Sequence, residues 1–518
     1  MERDRPEEES HAKTQRRKGK VSVRLRLCAG FLSNAAFVLC LALCVRCGAL
    51  WLTPNAVMND PDDYLRLATN LADCKTFGSG HTPTAYRPPL YPMVLSGCVL
   101  LGDYDRAVVV LAITLLHIVL GVATVGLVLL LGRWWGLGAG GAAVAALLVA
   151  CDPILLASSS LVMTETLATL LATAGLLALT WAGRRRTTSP IAGNQRLAEC
   201  GNMRDNDPRA VGPRLFSRYI IVGAVLALAA LCRPAFLLWM LAAGVVLLWQ
   251  AFTRRSIAND NSRGPAPRGK IANSLRAPAA FALGSLMVLS PWAIRNQLQF
   301  GRPIITTTHG GYTLFLANNP EFYEWLRHGS WGSVWQADEF NYNWDLRRPS
   351  DELQADRQAY AEAWQTIRAQ PGMFLYACVV RVGRFWSPLP HRVTATETPW
   401  AVRHLIELDL RARFGQLSLP HRVTAEEPPF RRLSRYAVAL WYMAEFLLAI
   451  VGIWRVSHWA LKCPARASSG WHWGLLLIVC LMAGHVVYWT DMRMRAPIMP
   501  VVAIIAAAGL CGRRPRDD

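Results

Sequence analysis

The sequence predicts an all-α polytopic membrane protein of about ten transmembrane helices, with extracytoplasmic loops that carry amphipathic interfacial helices. Three observations predict it. The chain is 53% hydrophobic and only 17% charged over 518 residues, too apolar for an ordinary aqueous surface. Apolar runs of roughly 17–23 residues recur from end to end, each long enough to cross the hydrocarbon layer as a helix that satisfies its own backbone. Lys and Arg gather in short clusters between those runs, as the positive-inside rule prefers for cytoplasmic segments.

The runs lie near 28–50, 106–131, 137–156, 160–182, 218–232, 234–252, 277–293, 436–454, 472–489 and 496–511. Basic clusters stand at Arg16-Arg17-Lys18, Arg184-Arg185-Arg186, Arg254-Arg255 with Arg268 and Lys270, around Lys462 and Arg466, and at Arg513-Arg514. Placing all of them in the cytoplasm makes the span count even and puts both termini inside a cell (inner or plasma) membrane. The division is then a basic tail over 1–27, a membrane domain over 28–511 and a short tail over 512–518. Segments 51–105 and 294–435 become outer loops. Segments 183–217 and 253–276, rich in Arg, Asn, Ser, Pro and Gly, become flexible cytoplasmic linkers. A further apolar stretch, Met373–Pro388, contains Arg381 and Arg384. Counting it as a crossing would move the downstream clusters to the wrong side, so it reads as a helix at the outer interface.

The formal net charge of +20 does not point to nucleic acid, because the cations flank membrane spans and form no continuous stripe. Most of the 13 Cys lie inside apolar runs, where small hydrophobic packing accounts for them. Neither a disulfide framework, a metal site nor a cofactor is expected. The heptapeptide 389–395, LPHRVTA, recurs at 419–425. It reads as a short tandem duplication in an exposed loop, or as a paired ligand site using His391 and His421.

The polar motifs sit in the outer loops or at helix mouths. Asp60, Asp62 and Asp63 follow the first span directly, and crowded carboxylates resist ionising together. Pro61 suits a first helical turn, and Tyr64, Leu67, Ala68 and Leu71 form an apolar stripe fit for a membrane surface. The acids either cap that helix or do chemistry. In Tyr86-Arg87-Pro88-Pro89-Leu90-Tyr91-Pro92, prolines hold Arg87 between aromatic rings at membrane level, where it meets an anion or snorkels. Glu165 stands just inside a helix mouth, a costly place for a carboxylate. Arg233-Pro234 breaks an apolar run. Arg295-Asn296, His309-Gly310-Gly311 and Asn318-Asn319-Pro320 follow span seven, the last being a turn. His485, Asp491, Arg493 and Arg495 precede the last span as a strong exception to positive-inside placement, which suggests a bound anion. No nucleotide fingerprint is present.

In order and spacing these elements resemble the type C glycosyltransferases, which take sugar from a polyprenyl-phosphate carrier, and within them the protein O-mannosyltransferase, aminoarabinose transferase and rhizobial lipopolysaccharide sugar transferase relatives. The likeness runs over most of 55–500. It rests on Asp60-x-x-x-Tyr64-x-x-x-Ala68, the Tyr86–Pro92 box, Thr164-Glu165, Arg233-Pro234, Pro291-Trp292-x-x-Arg295-Asn296 through Asn318-Asn319-Pro320, and Arg493-x-Arg495-x-Pro497. The resemblance implies an acceptor-side acid at Asp60, a carrier-phosphate contact at Arg87 where aminoarabinose transferases have Lys, and a second acid at Glu165, where relatives often have Asp. On elementary grounds a lipid-phosphate leaving group needs cations and an attacking hydroxyl needs a carboxylate base.

The expectation is therefore an inverting, metal-independent transferase of a hexosyl or pentosyl unit. Its donor is a polyprenyl-phosphate sugar, and its acceptor a lipid, glycan or protein at the outer face, amid membrane lipids and without nucleic acid. Asp60 and Glu165 are the catalytic candidates, and Arg87, Arg295, Arg493 and Arg495 the donor-phosphate candidates. Asp62, Asp63, Tyr64, Tyr86, Arg233, His309, Asn318 and His485 are candidates for substrate contact. The competing readings are a lipid-linked sugar transporter or flippase and a structural component of an envelope assembly. No half-repeat symmetry of the transporter kind is apparent in the sequence.

Overall fold

A computed structural model of the protein describes residues 35–52, 60–184, 208–260, 268–329, 335–390, 429–462 and 470–511. The tails 1–27 and 512–518, most of the basic clusters and most of the repeated heptapeptide lie outside the described residues. Among the described residues the only strands form a two-stranded antiparallel hairpin pairing Gly78 with Pro83 and Ser79 with Thr82. All other regular structure is helical.

Among the described residues seven helices are long and apolar enough to cross a membrane: Ala35–Leu52, Arg106–Trp134, Glu165–Gly183, Phe236–Thr253, Leu275–Phe300, Arg432–His458 and Met492–Cys511. The run expected over 137–156 is two helices, Ala139–Ala150 and Pro153–Ser159, bent by 51°. The break has a local cause. Asp152 turns its side chain to accept from Leu155 N at 2.9 Å, and Pro153 has no N–H to continue the preceding helix. The expected spans at 218–232 and 472–489 are the shorter apolar helices Phe216–Cys232 and Trp471–Val487. The last span opens as a 3-10 turn over Met492–Ile498, with Pro497 inside it, before the helix Met499–Cys511.

Two shorter helices fill the segment after the first span. Tyr64–Cys74 buries Tyr64, Leu67, Ala68 and Ala72 on one face. Leu90–Leu101 is almost wholly apolar but only about 18 Å long at 1.5 Å per residue, too short to span alone. Asp105 caps the following helix, accepting from Ala107 N and Val108 N.

Close helix crossings set the packing of the spans. Helices Phe216–Cys232 and Leu275–Phe300 meet through Gly223 and Gly284, and a Cβ on either would stand 2.0 Å from a carbonyl oxygen of the other helix. Small residues let helix backbones approach where lipid offers no hydrophobic drive.

Segment 310–390 has a core of its own, built from Phe315, Phe322, Tyr323, Trp335, Phe340 and Trp344 around helices Gly310–Ala317, Pro320–His328, Asp338–Arg347 and Glu352–Ala369. Asn319-Pro320, expected as a turn, is a helix start: Asn319 accepts from Phe322 N at 2.8 Å and Pro320 occupies the first turn. Helix Pro371–Phe385 covers most of the apolar stretch Met373–Pro388 expected at an interface and ends three residues short of it. Its Arg381 is buried and donates to Val486 O at 2.9 Å, to Asn318 Oδ1 at 3.0 Å and to Ala317 O. That arginine ties segment 310–390 to the helix Trp471–Val487.

Candidate functional site

The candidate residues come mainly from helix ends. Asp60 caps the helix Tyr64–Cys74: Oδ1 accepts from Tyr64 N at 2.8 Å and Oδ2 from Leu65 N at 2.7 Å. Its carboxyl is nonetheless held above the ordinary carboxylate range, because burial outweighs those two backbone donors and the charge of Asp63 adds to it. Asp62 points elsewhere and pairs with Arg87, Oδ1 to Nη2 at 3.1 Å. Asp63, at φ 60°, pairs only with Arg66 at 3.2 Å and its side chain is 64% exposed.

Arg87 lies over the rings of Tyr64 and Tyr86, at 5.6 and 5.4 Å from their centroids. Its Nη1 is 3.5 Å from His309 Nε2. A guanidinium only donates, so Nε2 is the accepting nitrogen and the imidazole proton is on Nδ1. His309 Nδ1 is buried without a hydrogen-bond partner among the described residues. Burial, and then the adjacent Arg87, hold this ring well below the ordinary histidine range. Tyr86 packs on His309 edge to face at 4.4 Å, and burial pushes its phenol up to about 12.

A second charged group acts on Tyr64. Glu165 opens the helix Glu165–Gly183 with its side chain 2% exposed, 3.2 Å from Arg233 Nη1 and 3.9 Å from Arg493 Nε. Neither oxygen accepts a hydrogen bond of good geometry from the described residues. Arg233 follows the helix ending at Cys232, and its Nη2 is 2.6 Å from Met494 Sδ. Both groups act electrostatically on Tyr64. Burial raises its phenol well above the ordinary value, and the charges acting on it are Arg87, Asp62, Arg233 and Glu165. The acids acting on Arg493 are Glu165, Asp491 and Asp62. His485 stands within the field of Arg233, with Nδ1 3.3 Å from Trp489 O.

Asp62, Tyr64, Tyr86, Arg87, Glu165, Arg233, His309 and Arg493 are thus linked by contacts and charge, with Asp60 joined through the Tyr64 amide and His485 through the field of Arg233. Four expected members lie outside this cluster: Asp63, paired with Arg66 at the surface, and three that are engaged elsewhere. Arg295 donates to Thr84 O at 2.9 Å, Phe77 O at 3.0 Å and Asn296 Oδ1 at 2.8 Å, so it braces the first loop from below. Asn318 is fully buried and donates to Leu314 O and Val487 O. Arg495, expected beside Arg493, faces away from it. In a 3-10 turn each residue advances about 120°, so positions i and i+2 diverge.

A residue with no sequence signal organises the cluster. Glu352, the first residue of the helix Glu352–Ala369 after its cap Asp351, accepts from Thr84 Oγ1 at 2.6 Å, from Ala85 N at 3.0 Å and from Thr308 Oγ1. Thr308 N donates to Ala85 O at 3.0 Å, and Thr307 Oγ1 donates to Tyr86 O. The two loops carrying Arg87 and His309 are therefore clamped side by side. Nothing around Glu352 marks it beyond the acidic first turn common to many helices.

Two surface clefts, of about 510 and 400 Å³, lie along the far part of helix Glu352–Ala369, at Trp364 and Arg368 and at Arg347 and Glu362. The charged cluster instead closes on its own ion pairs. Among the described residues no group of three His, Cys, Asp or Glu is placed to hold a metal ion.

No protein-family model matches the chain, and no curated protein matches it. Among solved structures it is similar to the oligosaccharyltransferase of Archaeoglobus fulgidus. Against the apo form, identity is 16% over 93% of this chain and 50% of that one, with a TM-score of 0.46. Against the form tethered with an acceptor peptide containing the NVT sequon, identity is 16% over 93% and 49%, again at 0.46. Against AglB in complex with an inhibitory peptide and a dolichol-phosphate, identity is 15% over 93% and 50%, at 0.45. The chain spans about half the length of these structures.

Proposed function

We propose that the protein is a membrane glycosyltransferase that moves a sugar from a polyprenyl-phosphate donor to an acceptor hydroxyl at the outer face. The observation that carries this reading is the meeting of Arg87, Arg233 and Arg493 with Asp62 and Glu165 around the Tyr64 hydroxyl, at the ends of apolar helices. Three guanidiniums held there are costly unless an anion uses them. A phosphate on a lipid tail reaches that depth by its own anchoring, and planar guanidiniums suit its oxygens.

In this reading the acceptor oxygen attacks the anomeric carbon while the bond from that carbon to the phosphate oxygen breaks. The electron pair leaves with the polyprenyl phosphate, and Arg87, Arg233 and Arg493 stabilise the charge that develops. The acceptor proton passes to Asp60, whose carboxyl burial holds above the ordinary value as suits a base, whereas Asp62 is already paired with a cation. Attack opposite the leaving group inverts the anomeric centre. Glu165 holds Arg233 and Arg493 together before the donor arrives. His309, neutral beside Arg87, adds no charge to the phosphate site.

The test is transfer from labelled polyprenyl-phosphate sugars to an envelope extract by purified protein, wild type and Asp60→Asn. Asn keeps one of the two capping acceptors, so the variant should still fold, and its expression and melting temperature are measured beside the wild type. Transfer by the wild type with a loss of about 100-fold or more in the variant is expected from removal of a general base. Movement of lipid-linked sugar across vesicles without transfer would establish the transporter reading instead, and full activity of Asp60→Asn would remove that residue from the chemistry.

A further inference from the structure

Beyond the cluster around Tyr64, the membrane-spanning part holds a second buried polar group on the opposite face of the 3-10 turn Met492–Ile498. Arg495 is fully buried. Its Nη1 donates to Phe385 O at 3.0 Å and Ser387 O at 2.6 Å. Its guanidinium lies 4.3 Å from the centroid of Tyr442 and 5.2 Å from that of Phe446. The Tyr442 hydroxyl donates to Asp152 Oδ1 at 3.0 Å and accepts from Ile154 N at 3.0 Å. Tyr442, Asp152 and Glu445 are the anionic or polar groups acting on Arg495.

The group continues back toward the site. Asp152 acts on Arg46, whose Nη1 donates to Ser159 Oγ at 3.0 Å. Gly121 leaves the room Arg46 needs, since a Cβ there would stand 2.4 Å from Arg46 Nε. The carbonyl of Ser159 is 2.9 Å from His117 Nδ1, and His117 Nε2 is 2.9 Å from Tyr91 OH. Tyr91 packs edge to face on Tyr64 at 5.4 Å. The contacts leave the site at Arg493 and return to it at Tyr64.

Buried polar groups of this kind are seldom the cheapest way to fill an interior, because well-packed apolar side chains often do as well or better. They do fix geometry. A 3-10 turn holding Arg493 and Arg495 could present either arginine to Glu165 by rotating about its axis, and the contacts of Arg495 remove that choice.

We infer that Arg495, Tyr442 and Asp152 are positioning residues that set the rotation of the Met492–Ile498 turn, so that Arg493 faces Glu165 and the departing phosphate. The inference rests on the glycosyltransferase reading for the word phosphate, but not for the turn. Arg495 acts here through Arg493 and does not touch the donor.

The decisive variants are Tyr442→Phe, which drops the hydroxyl and keeps the ring under Arg495, and Tyr442→Leu, which drops both. Polyprenyl phosphate in mixed micelles serves as the binding probe. Tyr442→Phe should weaken its binding by about 5- to 20-fold in the wild-type background and leave it unchanged in Arg493→Gln, because residues acting as one unit do not add. Losses that multiply in the double variant, or wild-type affinity in Tyr442→Phe, would overturn the inference.

A readout independent of ligand keeps the two readings apart. A cryo-EM structure of Tyr442→Leu should show the turn rotated and Arg493 withdrawn from Glu165. An unmoved turn overturns the inference whatever the protein's activity. A wild-type protein inert toward polyprenyl-phosphate sugars would sink the transferase reading alone, and the position of the turn would still decide this one.

Discussion

Removing the carboxylate of Glu352 tests whether the clamp between the two loops sets the site. In Glu352→Ala the Thr84 hydroxyl, the Ala85 amide and the Thr308 hydroxyl lose their shared acceptor. A hydrogen bond to a charged group contributes about 1.5–3 kcal/mol, and Glu352 is half-buried, so water recovers part of each. A local loss of about 2–4 kcal/mol follows. The segment that loosens carries Arg87 two residues beyond Ala85, and a displacement of about 1 Å at a reacting group costs on the order of 100-fold in rate. The expected result is a 10- to 100-fold fall in kcat/KM, about 1.4–2.7 kcal/mol at 1.36 kcal/mol per decade, expressed largely as a higher KM for the donor. Glu352→Gln keeps a carbonyl acceptor and offers an amide donor to Thr84 Oγ1, so its loss should stay below about 10-fold. The assay is steady-state transfer with varied donor, joined to hydrogen exchange at the amides of residues 84–87 and 306–309. Wild-type KM with unchanged exchange in Glu352→Ala would refute the clamp.

Three further outcomes are expected. Asp60 must be unprotonated to act as base, and burial holds its carboxyl above 3.8. The acid limb of kcat/KM, falling as pH drops through that raised value, should therefore lie above the ordinary aspartate range and disappear from the residual activity of Asp60→Asn. His309 is held well below 6.5 by burial and Arg87. Its neutral ring supports the folded site fully above about pH 6.5, the unfolded value, and that support is lost as pH falls from there toward the depressed folded value. No histidine limb near 6.5 should therefore come from His309, and loss of the limb in His309→Gln would contradict this. Gly223→Val should lower the melting temperature in detergent, since even a Cβ at that position stands 2.0 Å from Phe281 O and overpacking costs about 1–3 kcal/mol. An unchanged melting temperature would mean that the crossing yields.

The spans were readable because a membrane helix must be long, apolar and internally hydrogen-bonded, so local composition alone marks it. The amphipathic face at Tyr64, Leu67 and Ala68 was readable for a related reason, as it repeats at the helical period. The break at Asp152-Pro153 was present in the letters but hidden by the apolar residues on both sides.

Which charges meet is another matter. Asp60, Asp62 and Asp63 look alike in sequence, yet one caps a helix, one pairs with Arg87 and one faces solvent. Their directions follow from a turn that places Asp63 at positive φ. Arg493 and Arg495 read as a pair, and only the 3-10 geometry sends them to opposite sides. Glu352 meets Thr84 across 268 residues, and Tyr442 meets Asp152 across 290. Contacts at such separations leave no periodic trace in the chain. By itself the sequence determined that this protein lives in a membrane and which polar residues stand at the ends of its helices. Tertiary structure alone decided which of those residues share a site, because pairing depends on side-chain direction and helix packing, and neither is a property of local composition.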